Sequence, residues 1–115
     1  MLRRLIALAV LAGLMWATPA LAAQNVLSWT DNSTNEANFN VERKAEACAG
    51  GAAFTPLASV SANVTTYTDL AVVEGTTYCY RVNASNTAGI SAYSNTAARV
   101  VPFTVPAPPS GLTVN

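Results

Sequence analysis

Apolar and polar residues alternate in short runs along most of this chain, and each run ends in a cluster of turn formers. Val26-Leu27-Ser28-Trp29-Thr30 puts Leu27 and Trp29 on one face. Asp31 to Glu36 (D-N-S-T-N-E) is dense in residues that reverse a chain. Phe39-Asn40-Val41-Glu42-Arg43 alternates again, with Phe39 and Val41 inward and Asn40 and Glu42 outward. Ala45 to Ala53 holds Cys48 and Gly50-Gly51 and reads as a loop. A weaker strand is predicted over 54–60, and another over 65–70 with Tyr67 as its core contact. Past a turn at Gly75, Tyr78, Tyr80, Val82 and Ala84 share one face while Cys79, Arg81 and Asn83 share the other. Asn86 to Gly89 is a loop, and 90–101 is predicted as one last strand. Short strands separated by turn signals, with no helical period after the N-terminus, predict an all-β sandwich or small barrel.

The N-terminus follows a different pattern. Arg3 and Arg4 precede an apolar run from Leu5 to Trp16, Thr18-Pro19 breaks it, and Ala20-Leu21-Ala22-Ala23 offers small residues for cleavage. Residues 1–23 therefore read as a secretory signal peptide, too short and wrongly flanked for a stable membrane span. The exported chain has about 92 residues, room for one small domain. Loss of Arg3 and Arg4 leaves four basic against six acidic residues, a net charge of −2. Without a basic stripe, nucleic acid and anionic membrane are poor partners.

Export also bears on the cysteines. Cys48 and Cys79 are the only two, and an oxidising compartment pairs them by default. A crosslink closing a loop of about 30 residues contributes roughly 3–4 kcal/mol in the chain-entropy account, which matters for a domain with a small core.

Chemistry is sparse. The chain has no histidine, so it holds no imidazole base and no His-based triad. The carboxylates Asp31, Glu36, Glu42, Glu46, Asp69 and Glu74 scatter over strands and loops, and small sandwiches seldom form the cleft that a catalytic pair needs. The oxygen-rich run Asp31-Asn32-Ser33-Thr34-Asn35-Glu36 lacks the glycine and distal glutamate of a calcium loop, so side-chain capping of a turn is expected there. No enzyme activity, metal or cofactor is expected.

Leu27-Ser28-Trp29, then Phe39-x-Val41-Glu42-Arg43, then Leu70-x4-Gly75-Thr76-x-Tyr78-x-Tyr80-Arg81-Val82-x-Ala84-x-Asn86, resembles a fibronectin type III domain. W-T-D-N-S-x-N-E-x-x-F-x-V-E-R is similar to runs in the bacterial secreted branch of that family. The resemblance covers about 75 residues, Val26 to Val101, in order. It implies an immunoglobulin-like β-sandwich over 24–101 with strands B to G. It also implies a core signature of Trp29, Val41, Leu70, Tyr78, Tyr80 and Val82. Tyr78 would be the corner tyrosine before strand F, its hydroxyl meeting nearby backbone. Cys79 would point from strand F toward Cys48 in the loop after strand C.

One departure stands out. Type III domains open with a strand A ahead of strand B, and Ala23-Gln24-Asn25 is too short to serve. The chain instead closes with a Pro-rich linker, 102–109, and a strand-A-like segment, 110–115, in which Leu112 and Val114 alternate as core-filling residues. Three readings stay open: the tail folds back on its own domain, it is donated to another copy, or it begins a further module of a longer tandem protein.

The function expected is that of a non-catalytic secreted module, a spacer, adhesion or assembly unit in the periplasm or outside the cell. Its candidate binding loops carry Asp31, Asn32, Asn35 and Glu36, with Asn86 and Gly89 beside them. The expected partners are a protein or glycan at the cell surface, or a second copy through the C-terminal strand. A fragment of a multidomain surface protein or secreted enzyme, and a small inhibitor or enzyme domain, are the alternatives.

Overall fold

A computed structural model describes residues 22–115, so the proposed signal peptide lies almost wholly outside the described residues. Seven strands follow the alternation: β1 (Asn25–Ser28), β2 (Asn38–Lys44), β3 (Thr55–Ser61), β4 (Thr66–Asp69), β5 (Thr77–Asn86), β6 (Gly89–Ile90) and β7 (Ala97–Val100). They form two sheets within the unit Ala23–Val105. One is the antiparallel pair β1–β4; the other runs β3–β2–β5, with β6 and β7 both on the far side of β5.

The register shows why the sheets face each other. β2 and β5 pair without a break from Asn38↔Ser85 to Lys44↔Cys79, which sets Phe39 beside Ala84 and Val41 beside Val82. Period-2 alternation then sends Phe39, Val41, Tyr78, Tyr80 and Val82 to one face, where they are buried together with Val101. Leu27, Trp29, Tyr67 and Val72 close over them from the opposite sheet and its flanking turn. Trp29 meets Phe39 edge-to-face, ring centroids 5.7 Å apart. Pro56 lies in the edge strand β3, opposite Glu42, where the β2–β3 register shifts. An edge position beside a bulge tolerates a residue with no N–H to donate.

Two expectations need correction. Leu70 is not a core residue: it is 67% exposed. Tyr67 and Asp69 occupy the inward parity of β4, so Leu70 falls on the outer parity just past the strand, and Val72 packs against the core instead. The last strand is also not continuous over 90–101, because residues 91–96 carry no strand. Ser94 donates its N–H to the Val82 carbonyl and accepts the Val82 N–H on its hydroxyl, at 2.7 and 3.0 Å. Ser91 repeats the arrangement with Ala84 at 2.8 and 2.9 Å. Serine hydroxyls replace the carbonyls of a regular ladder, so β5 stays satisfied while the strand is interrupted.

The outer face of the larger sheet is covered by its own loop. Cys48 and Cys79 form a disulfide with Cα atoms 5.1 Å apart, and Cys79 is fully buried beneath the loop after β2. Lys44, also buried, donates from Nζ to the carbonyls of Cys48 and Gly50 at 3.0 and 2.6 Å. Arg81 is stacked between Phe54 and Tyr93, 4.1 and 3.6 Å from the ring centroids, and donates to Glu42 at 2.7 Å. Arg81 is therefore a packed residue and not a solvated one.

At the same end of β5, on its inner face, the Val73 N–H donates to the Tyr78 hydroxyl at 3.0 Å, pinning the corner after β4. Gly75 in that corner has φ +79°, and a Cβ there would collide with the Phe103 ring. Glycine meets both demands, left-handed backbone and close approach. The segment Pro106–Asn115, taken by itself, contains no strand, and Leu112 and Val114 are 96% and 94% exposed.

Candidate functional site

Three regions hold the residues that bear on function. The first is the loop pole. Asp31 accepts the Ser33 N–H at 3.0 Å, a local turn that its short carboxylate side chain favours. The Ser33 hydroxyl donates to Glu36 at 2.6 Å, and Glu36 reaches across to accept the N–H of Asn63, at 3.1 Å, in the turn between β3 and β4. Asn63 has φ +67°, a conformation asparagine tolerates. Chiefly because of the Ser33 hydroxyl, the Glu36 carboxyl lies below the ordinary carboxylate range. Asn86 donates to the Asn35 carbonyl at 3.0 Å and accepts the Ala88 N–H at 2.8 Å, closing the β5–β6 turn, in which Gly89 has φ +142°.

The structure thus brings Asn35, Glu36, Asn86 and Gly89 around one shallow depression of about 290 Å³. Asn32 is exposed and lines a different groove, beside β1. The polar groups of the pole mainly bond one another and the local backbone. Among the described residues no cluster of acids has the arrangement of a metal site. Tyr93 is 42% exposed, but its ring face is taken by Arg81 and its hydroxyl donates to Glu42 at 3.1 Å. It is not a free platform for a sugar.

The second region is a chain of polar groups, buried at Asn25, Tyr80 and Asp69, that links both sheets. Arg99 on β7 donates to the Asn25 side-chain oxygen at 3.2 Å, and Asn25 donates to the Tyr80 hydroxyl at 2.9 Å. Tyr80 donates to Asp69 at 2.7 Å, and Arg43 donates to the same oxygen at 2.8 Å. The other Asp69 oxygen accepts the Ala71 N–H at 3.0 Å. Burial raises the Asp69 carboxyl, but the Tyr80 hydroxyl, Arg43 and the Ala71 N–H outweigh it and hold it below its usual value. Burial opposes the Arg43 charge, and the bonded Asp69 carboxylate more than restores it, leaving that guanidinium raised. Tyr80 is pushed up to about 12, first by burial and further by the Asp69 carboxylate, with the Asn25 hydrogen bond acting against the rise. Every Asp69 oxygen is occupied, so the group is a clamp between sheets and is not poised as an acid or base. Single-residue sequence patterns gave no sign of it, because its members come from five different strands.

The third region is the open side of β1. The Trp29 N–H donates to the Thr65 carbonyl at 3.0 Å, extending the β1–β4 ladder. In an antiparallel pair the alternate residues face away, so the N–H and C=O groups of Val26 and Ser28 point to the side opposite β4. Among the described residues no strand lies on that side. A groove of about 740 Å³ runs there, between β1 and the β7 side of the larger sheet. Leu27, Trp29 and Val82 contribute its apolar lining, Ser94 and Asn95 stand near one end, and Arg99 stands at the other. Arg99 donates to the Gln24 carbonyl at 3.1 Å, which marks the Asn25 end of this rim. Trp29 Nε1 is buried without a hydrogen-bond partner.

No protein-family profile and no curated protein matches the sequence. Solved structures do match. The fourth FNIII domain of a human protein superposes at TM-score 0.60 with 18% identity, over 83% of this chain and 78% of that one. The sixth fibronectin type III domain of human fibronectin type III domain containing protein 3 gives TM-score 0.58 with 22% identity, over 78% of this chain and 81% of that one. The twitchin kinase region of C. elegans gives TM-score 0.59 with 25% identity over 73% of this chain, which spans 15% of that larger chain. The fold is therefore an all-β, immunoglobulin-like sandwich of the fibronectin type III type.

Proposed function

We propose that this chain is an exported, non-catalytic fibronectin type III module that serves as an extracellular spacer and assembly unit. The carrying observation is that its charged groups are spent on structure. Asp69 is saturated by Tyr80, Arg43 and backbone, Glu42 pairs with Arg81, and Glu36 caps two turns. A chain without histidine whose buried acid is fully bonded has little left for proton transfer.

Export is supported by the Arg3-Arg4, apolar run and Ala-Leu-Ala-Ala order of residues 1–23, and by the Cys48–Cys79 bond, which needs an oxidising compartment. No helix among the described residues is long and apolar enough to cross a membrane. We assign 24–101 to a fibronectin type III domain of the bacterial secreted type, 102–109 to a Pro-rich linker whose Phe103 and Thr104 lie against the Glu74–Gly75 corner, and 110–115 to a strand-A-like segment.

The test is expression of residues 1–115 in a bacterium that processes secretory signals, followed by intact-mass measurement of the exported fraction. Cleavage after Ala22 or Ala23 and a mass two hydrogens below the dithiol are predicted. A full-length, reduced cytoplasmic product contradicts the reading.

A further inference from the structure

We infer that the groove along the open side of β1 is an acceptor site for residues 110–115 of a second copy of this chain. The inference rests on the module reading above and names that module's partner.

The groove has the chemistry of an unfilled strand position. Val26 and Ser28 turn their backbone N–H and C=O groups to it, and an extended segment satisfies such a row by β-augmentation. Of its apolar lining, Leu27 and Trp29 are only partly covered, while Val82 beside them is buried. Leu112-Thr113-Val114 supplies two apolar side chains on one parity and a threonine on the other, the pattern needed to fill such a groove and face water outside it. Leu112 and Val114 are almost fully exposed, so burying them in a groove is favourable. The whole segment 102–115 carries no side-chain charge to desolvate.

The length of chain and the place where it leaves the domain select a second copy over the same one. β7 ends at the pole where β1 begins, since Arg99 bonds Gln24 and Asn25. A strand antiparallel to β1 must enter at the other pole, near Asn32 and Asn95. Residues 101–104 are fastened at the first pole. The Gly75 N–H donates to the Val101 carbonyl at 2.7 Å, the Phe103 ring lies over Gly75, and the Thr104 hydroxyl donates to Glu74 at 2.6 Å. Only Val105 to Pro109 remains as free spacer, about 15 Å at ~3.1 Å per residue of polyproline-like chain. The groove spans Asn25 to Thr30, about 20 Å at ~3.3 Å per residue. The spacer is too short to return to the far pole.

A tight reversal that laid the tail parallel to β1 is opposed by Pro106, Pro108 and Pro109, which hold the chain extended. An extended spacer favours the entry pole of a neighbouring copy over the far pole of its own domain. The exit pole is itself apolar, with Leu70, Val73 and Phe103 at 67%, 64% and 78% exposure around the Gly75 corner. An abutting copy would cover them.

The contact is heterologous, each copy giving a tail and receiving one, so assembly is open-ended. Multi-angle light scattering on the exported chain, from micromolar to millimolar concentration, tests this. The weight-average mass is expected to rise past twice that of the monomer, and the double variant Leu112→Glu/Val114→Glu is expected to stay monomeric at all concentrations. Adding a synthetic peptide of residues 107–115 to that variant is expected to shift the backbone amide resonances of Val26 and Ser28. A wild-type monomer throughout the range overturns the proposal, as does an oligomer that survives the double substitution. A monomer whose melting temperature falls on that substitution means pairing within one chain, and also overturns it. Any of these outcomes with an exported, disulfide-bonded β-sheet product leaves the module reading standing.

Discussion

Tyr80 donates its hydroxyl proton to Asp69 across 2.7 Å, and both side chains are buried. The two belong to different sheets, β5 and β4, so the bond is a polar link through the sandwich. Arg43 and Asn25 extend it on either side. Networks of this kind fix one arrangement of facing sheets, because any misaligned packing leaves a charge or hydroxyl unpaired.

Asp69→Asn is predicted to destabilise the fold by about 2–4 kcal/mol at neutral pH, less than a fully buried pair because Arg43 is partly exposed. The Asp69 carboxyl is held below its usual value, so its contribution is complete above the unfolded value near 4 and is lost as pH falls through the folded one. Urea denaturation of wild type and variant at a series of pH values reads this. The gap between them narrows on acidification; a gap independent of pH contradicts the role.

Tyr80→Phe removes a donor to Asp69 and an acceptor for Asn25, for a predicted loss of about 1–2 kcal/mol near neutrality. The Tyr80 phenol is pushed up to about 12 in the fold. Its stabilisation is whole below the unfolded value near 10 and is lost as pH rises toward the folded one. The difference between wild type and variant therefore shrinks across the alkaline limb. Denaturation midpoints taken from neutral pH to strongly alkaline pH check the trend.

Replacing both cysteines, Cys48→Ala/Cys79→Ala, is predicted to cost about 2–4 kcal/mol. Part of the loss comes from the loop after β2, since Lys44 stays buried only while the carbonyls of Cys48 and Gly50 are held over it. Thermal melts with and without reductant give the same comparison. A melting temperature unmoved by reduction counts against the loop as a structural cover.

Gly75→Ala is predicted to cost about 1–3 kcal/mol, from left-handed backbone and from the Phe103 ring it would displace. Gly51→Ala is the control: a Cβ there meets open space and φ is not left-handed, so little change is expected. Equal effects at the two positions contradict the assignment of Gly75 as a required glycine.

Much of the fold was legible because one sheet face is buried and period-2 alternation marks it. Phe39, Val41, Tyr78, Tyr80 and Val82 alternate cleanly and lie in the core. Leu70 misled because alternation assigns parity only within a strand, and β4 ends one residue earlier. The split between β6 and β7 was hidden because Ser91 and Ser94 look like ordinary outward polar residues, while their hydroxyls stand in for backbone carbonyls. Lys44 and Asp69 are charged residues placed where polarity predicts exposure. Each is buried through partners distant in sequence or on an irregular loop, and no local pattern encodes that. The short Ala23-Gln24-Asn25 lead ahead of β1 was visible in the sequence, and among the described residues no strand pairs with the side of β1 away from β4. The anchoring of Phe103 and Thr104, which limits the reach of the tail, was not visible in the sequence.

The bare rim of β1 is tested most directly by amide hydrogen exchange on the Leu112→Glu/Val114→Glu chain, read residue by residue by NMR. Leu27 and Trp29, whose amides face β4, should be protected, while Val26 and Ser28 exchange close to the rate of exposed loop amides. Protection of Val26 and Ser28 equal to that of Trp29 in the dilute variant would mean the position beside β1 is already filled, and the account would be wrong.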